Sequence, residues 1–209
     1  MPAIKLTVYF DFLCPFAYRA SLWLAQVQEH LDNDLAITWK YFPLEQINTP
    51  SDSDWKLWEQ DEHYTGHNSR PELRALLAFW GAEAARQQGT DAFARFHRAL
   101  YHARHEEKLD FSQRANIQQI AARCSLDIDR FNQDFNDRSL LDAIRRDYEE
   151  ARATYKVFGV PTLCYDADNA IYLELGQVPP PNDALALFHE LHRSITSRRW
   201  LSEIKRPNP

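Results

Sequence analysis

The chain has 209 residues, of which 44% are apolar and 13% aromatic, enough for a folded core and too many for a disordered chain. Lysine and arginine number 24 against 30 aspartates and glutamates, a net charge of −6, which argues against nucleic acid as the main partner because phosphate contacts need a basic surface. Three widely spaced cysteines, Cys14, Cys124 and Cys164, exclude a disulfide framework.

The first forty residues predict a strand, a helix and a second strand. Residues 4–11 alternate between apolar and polar side chains, the period-two pattern of a strand. Apolar residues then recur at helical spacing from Phe16 to Leu31, and Pro15 fits the first helical turn, where its missing N–H costs nothing. Residues 35–42 resemble a strand again. This order predicts a right-handed crossover and a parallel strand pair.

Helical spacing then continues for about ninety residues. The sequence SRPE at 69–72 is a capping box, which predicts the beginning of a helix that ends at Gly89. Asp127 is predicted to cap a short helix. The remaining helices are predicted at 91–107, 112–124 and 141–155.

Sheet character returns near the carboxyl end. A strand is predicted at 159–165, followed by a turn and an antiparallel partner at 170–175. Asn182 or Asp183 is predicted to cap a last helix. We therefore expect an α/β domain formed by residues 1–60 and 157–209, with residues 61–156 inserted as a helical domain.

Cys14 lies at the junction between the first strand and its helix. A thiol at a helix N-terminus faces free backbone N–H groups and the positive end of the helix dipole, and both favour the thiolate. Asp11 acts in the opposite direction, because a neighbouring negative charge raises the pKa of a thiol. The sequence leaves open which effect is larger.

The sequence GVPT at 159–162 places a proline at the beginning of a strand, where proline is tolerated only at an edge or in a special turn. Combined with the helix-cap cysteine, it predicts a thioredoxin-like arrangement. In such an arrangement a cis proline packs against the thiol, and the preceding backbone pairs with a peptide-like ligand.

The segment YFDFLCPFAY at 9–18 resembles the active-site segment of DsbA-family thioredoxin-fold proteins, especially the FrnE-like branch. Residues 100–113 resemble the helical insert of that family, and 157–162 are similar to its cis-proline loop. The resemblance implies an α/β, thioredoxin-like fold with an inserted α-helical domain. It also implies a nucleophile at Cys14 and contacts with substrate or glutathione from Pro15, Phe16, Ala17, Val160 and Pro161.

The redox motif of that family has a second cysteine three residues after the first, where this chain has Ala17. Cys14 therefore cannot form the usual internal disulfide. The predicted activity is that of a monothiol oxidoreductase, with glutathione or protein thiols and disulfides as partners. No tightly bound cofactor and no metal are expected, and glutathione would be a cosubstrate.

Two alternatives stay open. Residues 11–18 are also similar to the signature of 2-hydroxychromene-2-carboxylate isomerases and kappa-class glutathione transferases, which have serine in place of Cys14. That branch implies a glutathione-dependent enzyme whose helical insert lines an apolar pocket, with aromatic side chains available at Trp55, Trp58, Phe79 and Trp80. The other alternative is a binding scaffold without chemistry. A homodimer is an open alternative for the oligomeric state.

The other thiols and the histidines favour structural roles. Cys124 and Cys164 are expected in the core, and whether Cys164 lies near Cys14 stays open. His97, His102 and His105 crowd one predicted helix but do not have the spacing of a metal site.

The sequence favours the cytoplasm. No secretory signal pattern precedes the first strand, and charges interrupt every apolar run before it could span a bilayer. Thiols stay reduced in that compartment unless they take part in chemistry.

Overall fold

The computed structural model describes residues 3–65, 74–166, 168–198 and 200–202. The predicted capping box at 69–72 lies outside these residues. The strands are β1 (Ile4–Phe10), β2 (Leu35–Tyr41), β3 (Thr162–Asp166) and β4 (Asn169–Tyr172). The helices are α1 (Pro15–Leu31), α2 (Leu44–Ile47), α3 (Leu76–Arg86), α4 (Thr90–His105), α5 (Arg114–Ala122), α6 (Ile128–Asp134), α7 (Leu141–Ala153) and α8 (Pro181–Ser197).

The four strands form one mixed sheet in the order β2-β1-β3-β4. β1 and β2 are parallel, with Ile4 opposite Leu35, which confirms the predicted strand–helix–strand unit. β3 is antiparallel to β1, with Thr7 opposite Cys164, and β4 is antiparallel to β3. β1 is therefore a central strand, and its carboxyl end leads directly into the loop that carries Cys14.

The two faces of the sheet pack against different helices. On one face, α1 and α8 enclose a small core that contains Trp23 and Phe188, with ring centroids 6.2 Å apart. The helices between β2 and β3 form a larger core, which takes in Tyr9 from the other face of the sheet and Phe10 at the end of β1. Tyr9 is fully buried although the alternating pattern put it on the polar face, because a central strand is covered on both faces.

Two helix beginnings differ from the prediction. α3 begins at Leu76 after Ala75, which makes no side-chain cap. The preceding Arg74 is non-helical, and its guanidinium lies over the ring of Tyr64 and donates to the Tyr64 carbonyl. α8 begins at Pro181, so the prediction of an N-cap at Asn182 or Asp183 was wrong: proline is favoured at the first helical position, and both residues fall inside the first turn.

The predicted N-cap at Asp127 is confirmed, since its carboxylate accepts the N–H of Arg130 at 3.0 Å. The predicted domain boundaries at 60/61 and 156/157 stay predictions. Within the described ranges, no helix combines the length and the apolar character that a bilayer crossing requires.

Candidate active site

Cys14 is the N-cap residue of α1. Its Sγ accepts the backbone N–H of Ala17 at 3.5 Å and donates to the carbonyl oxygen of Val160 at 3.2 Å. The side chain is only 4% exposed. The sulfur therefore lies between the free N–H groups of a helix terminus and the loop that precedes β3.

The loop before Cys14 is held by Asp11, which is 1% exposed. One carboxylate oxygen accepts the N–H of Leu13 and the other that of Leu44, both at 2.7 Å. The backbone carbonyl of Asp11 accepts the N–H of Cys14 at 3.2 Å and the hydroxyl of Tyr101 at 3.3 Å. Asp11 thus fixes the chain direction immediately before the thiol.

The carboxyl-terminal end of α4 makes two polar contacts with the same loop. Tyr101 donates to the Asp11 carbonyl, and one turn later Nε2 of His105 lies 2.9 Å from the carbonyl oxygen of Phe12. The ring of Tyr18 on α1 stacks on His105, with centroids 4.8 Å apart and planes 7° from parallel. The helical segment between β2 and β3 therefore contributes directly to the geometry of the thiol.

The loop before β3 carries a cis peptide bond between Val160 and Pro161. The N–H of Leu173 donates to the Pro161 carbonyl at 3.0 Å. A Cβ on Gly159 would lie 3.1 Å from the ring of Tyr172. The segment after β4 therefore packs tightly along this loop.

Burial raises the pKa of the Cys14 thiol to about 11, and the carboxylates of Asp11 and Glu174 act in the same direction. The N–H groups of Ala17 and Phe16 act against them, as expected for a helix N-terminus, but are outweighed. The sequence left open whether the helix terminus or Asp11 has the larger effect on this pKa. Burial is the largest contribution and acts with Asp11, so the resting group is a thiol.

The structure brings the predicted site residues to one end of α1. Ala17 and Val160 contact Cys14 directly, Pro15 is exposed, and Phe16 is half-buried. Their contacts with glutathione or substrate stay predictions. The complete set around the helix terminus is Cys14, Pro15, Phe16, Ala17, Val160 and Pro161.

The other cysteines are separate from this site. All three are free and buried. Cys164 lies opposite Thr7 within the sheet, whereas Cys14 lies beyond the end of β1. His97 is a core residue, 3% exposed. Within the described residues, no three histidine, cysteine or acidic side chains converge as a metal site would require.

An apolar groove of about 330 Å³ runs between α1 and α4. The aromatic residues expected to line a substrate pocket lie elsewhere: Phe79 and Trp80 are buried in the core, and Trp55 and Trp58 pack on Tyr64 and Tyr148. The groove is lined instead by Tyr18, Ser21, Leu22, Ala25, Arg98, Ala99, Tyr101 and His102.

Four contributors to the site were not identified from the sequence: Tyr101, His105, Tyr172 and Glu174. The four-residue spacing of Tyr101 and His105 showed that they share a helix face, but not which loop that face meets. Tyr172 ends β4 and Glu174 follows it. The sequence predicted that this strand pairs with β3, but not that its end lies beside the cis-proline loop.

Comparison with known proteins agrees with this architecture. The family model described as DSBA-like thioredoxin domain matches residues 5–190. The uncharacterized protein Rv2286c of Mycobacterium tuberculosis is 28% identical over 199 residues, which cover 95% of this chain and 80% of that protein.

Two solved structures share the fold. A 2-hydroxychromene-2-carboxylate isomerase superposes with a TM-score of 0.60 at 15% identity, over 95% of this chain and 100% of that one. DsbA of Pseudomonas aeruginosa superposes with a TM-score of 0.57 at 16% identity, over 93% and 88% of the two chains. At these identities, the likeness shows the fold alone.

Proposed function

Because the chain belongs to the DSBA-like thioredoxin domain family and has the predicted thioredoxin-like fold with a helical insertion, we propose that it is a thiol–disulfide oxidoreductase with a single reactive thiol, Cys14. One observation carries the proposal: the sulfur lies between the Ala17 N–H and the Val160 carbonyl, and position 17 holds alanine rather than a second thiol. The N–H groups of the helix terminus can stabilise negative charge that develops on the sulfur during exchange.

The reaction consists of two exchanges. The Cys14 thiolate attacks a substrate disulfide, forms a mixed disulfide and releases the other half of the substrate as a thiolate. A glutathione thiolate then attacks the substrate sulfur of the mixed disulfide, which regenerates Cys14 and releases a glutathione–substrate disulfide. Glutathione is thus the cosubstrate, and the backbone of Val160 and Pro161 aligns the bound partner.

The raised pKa sets a condition on this proposal. With a pKa of about 11, roughly one Cys14 in ten thousand is a thiolate at pH 7. Substrate binding must therefore lower the pKa, and the hydrogen bond from Cys14 to the Val160 carbonyl must break when the thiol loses its proton. The free protein is expected to react slowly, at a rate that rises steeply between pH 8 and 11.

The test is formation of a mixed disulfide. The protein is incubated with 2-hydroxyethyl disulfide or oxidised glutathione, and adducts are assigned by peptide mass spectrometry. We expect modification of Cys14, turnover with reduced glutathione, and loss of both in Cys14→Ala but not in the controls Cys124→Ala and Cys164→Ala. An unmodified Cys14, or full turnover in Cys14→Ala, would contradict the proposal.

A second candidate is a glutathione-dependent isomerase or transferase with an apolar substrate. It is favoured by the protonated thiol, which can donate a hydrogen bond to a bound glutathione thiolate, and by the apolar α1/α4 groove. Glutathione-dependent turnover of an aromatic substrate that survives Cys14→Ser would select this candidate, because serine can donate the same hydrogen bond but cannot form a mixed disulfide. If neither glutathione nor a disulfide reacts, a binding scaffold is the remaining interpretation.

We place the reaction in the cytoplasm, where glutathione keeps thiols reduced; three free cysteines are typical of such a compartment.

Glutathione or protein thiols and disulfides are the proposed partners. A homodimer is the oligomeric state to be tested, by sedimentation of the intact chain.

A further inference from the structure

The segment that follows β4 forms one wall beside the reactive thiol. Tyr172 pairs with Thr162, and the N–H of Leu173 donates to the Pro161 carbonyl at 3.0 Å. Two residues further, the Leu175 carbonyl accepts the Arg19 guanidinium of α1 at 2.9 Å. Residues 172–175 are therefore tied both to the cis-proline loop and to the helix that Cys14 caps.

Glu174 lies within this segment, between its two attachment points. Its side chain is exposed and accepts the hydroxyl of Tyr172. The Tyr172 ring is itself held between the backbone of Gly159 and the ring of Phe158, whose centroid is 5.2 Å away. The carboxylate is therefore positioned by a fixed partner.

The charge of Glu174 reaches the thiol. The Glu174 carboxylate raises the pKa of Cys14. A Cys14 thiolate in turn raises the pKa of the Tyr172 hydroxyl. Asp11 adds a second negative charge from the buried side. Both charges that act on the pKa of Cys14 are therefore negative. Arg19, a cation attached to this segment, donates to the Leu175 carbonyl and lies over the Phe16 ring at 5.4 Å. A disulfide that approaches Cys14 thus meets a negative potential.

We propose that Glu174 makes the exchange reaction selective for disulfides that carry an ammonium group close to the reacting sulfur, and that Tyr172 holds its carboxylate in place for this purpose. The inference rests on the function proposed above. Glu174 is a specificity-determining residue here, because its partner is the cation of the substrate rather than the reacting atoms.

The exchange reaction needs no reagent other than the substrate disulfide, water and glutathione. The Cys14 thiol loses its proton to water, the thiolate attacks one sulfur of the cationic disulfide, and the S–S bond breaks to release an aminothiolate that takes up a proton. The substrate disulfide is the oxidant, and glutathione reduces the mixed disulfide. The bound ammonium offsets the charge of Glu174, so the cationic substrate itself favours the thiolate.

The experiment compares three small disulfides of different charge on the full chain. Cystamine is the cationic probe, 2-hydroxyethyl disulfide the neutral one and dithiodiglycolate the anionic one, and the rate of Cys14 adduct formation is measured by mass spectrometry at low salt and constant pH. Each rate is divided by the rate of the same disulfide with free glutathione, which corrects for the pKa of the leaving thiol. On this relative scale we expect cystamine to react about tenfold faster than dithiodiglycolate, with the neutral probe between them. At 1 M NaCl, where the screening length is about 3 Å, the preference is expected to shrink strongly.

Variants separate a charge effect from a structural one. In Glu174→Gln the cystamine preference is expected to fall to about twofold or less, while the neutral disulfide reacts at least as fast as with the wild type. Tyr172→Phe should give an intermediate preference. The matched control is Glu190→Gln on the outer face of α8, which makes the same change in net charge and should keep the full preference.

A pair of peptide disulfides, with lysine or glutamate beside the cysteine, identifies the source of the cation. Faster reaction of the lysine peptide supports protein substrates, and selectivity for cystamine alone supports a small aminothiol disulfide. Equal rates for the three small probes, or an unchanged preference in Glu174→Gln, would overturn the inference and leave the proposed function intact. No reaction of Cys14 with any probe, including the neutral one, would overturn both.

Discussion

Asp11 is a buried acid whose two effects on the site oppose each other. Its carboxylate satisfies the N–H groups of Leu13 and Leu44 and so fixes the loop before Cys14. Burial raises its own pKa to about 6 even though those N–H bonds favour the charged form, so Asp11 is largely ionised at neutral pH. Its charge then disfavours the Cys14 thiolate. Asp11 thus stabilises the conformation of this loop and at the same time makes Cys14 less reactive.

We predict that Asp11→Asn lowers the pKa of Cys14, because the variant removes a negative charge beside the thiol. The rate of alkylation of Cys14 by iodoacetamide, followed between pH 7 and 12, measures that pKa. Asparagine has one acceptor oxygen, so one of the two N–H groups loses its partner at a cost of about 1–3 kcal/mol, which unfolding in urea would report. Asp147→Asn is the control, since burial also raises the pKa of the half-buried Asp147 but its charge is not among those that act on Cys14.

Ala17 decides whether the site has one thiol or two. It is 1% exposed, and its N–H points at the Cys14 sulfur. We predict that Ala17→Cys creates an internal disulfide with Cys14 and allows reduction of a protein disulfide such as that of insulin without glutathione. Thiol titration after mild oxidation should lose two thiols. If Ala17→Ser behaved in the same way, the gain would not come from a second sulfur.

At the residue scale, local patterns predicted where Cys14 lies but not its ionisation. Pro15 and the end of the strand were enough to predict the helix cap. The pKa depends on burial by the loop of Val160 and on Glu174, both about 150 residues away in the chain. Such long-range proximity follows from strand pairing and helix packing, and the sequence pattern does not encode it locally.

The contact between α3 and α5 depends on a residue without a side chain. A Cβ on Gly81 would lie 2.6 Å from Cγ2 of Ile117 and 3.4 Å from the ring of Phe96. Both neighbours are fully buried and have no free volume to move into. The close approach of these two helices therefore requires glycine at position 81.

We predict that Gly81→Ala destabilises the protein by about 1–3 kcal/mol, because overpacking exceeds the roughly 1 kcal/mol that alanine gains in helix propensity. The measurement is the free energy of unfolding in urea. Gly176→Ala is the matched control: a Cβ there meets nothing within 4 Å, so its stability should stay within about 0.5 kcal/mol of the wild type. Equal stability of the two variants would contradict the predicted clash.

At the element scale, the strongly periodic segments were predictable and the helix beginnings were less so. β1, α1 and β2 follow directly from hydrophobic spacing. The beginning of α3 does not, because its N-cap residue is Ala75, which has no side chain that could mark the helix start by capping. The antiparallel pairing of β3 with β4 was predicted and is confirmed. The pairing of β3 with β1 was beyond the pattern, since it joins strands that lie far apart in the chain.

Across the whole molecule, buried ionisable groups make stability depend on pH. Burial raises the pKa of Asp11 and Asp147 to about 6 and that of Glu45 to about 7. These carboxyl groups titrate near pH 4 in an unfolded chain, so their contribution to stability is fully present below about pH 4 and lost as the pH rises through 6 to 7. His97 acts in the opposite direction: burial lowers its pKa to about 3, so its contribution is present above about pH 6.5 and lost as the pH falls.

Burial also lowers the pKa of His105 and His192, so carboxyl and imidazole groups oppose each other between pH 5 and 7.5. Glu45→Gln isolates one of these groups, the carboxyl with the highest of the three pKa values. Glutamine can still accept the Tyr64 hydroxyl, which Glu45 accepts at 2.6 Å, but it does not titrate. Urea unfolding should therefore show the variant gaining stability over the wild type at pH 7.5, where Glu45 is ionised, and little at pH 5, where it is protonated. Glu190→Gln, exposed on α8, should show the same difference from the wild type at both pH values. An equal effect of Glu45→Gln at both pH values would contradict the raised pKa of Glu45.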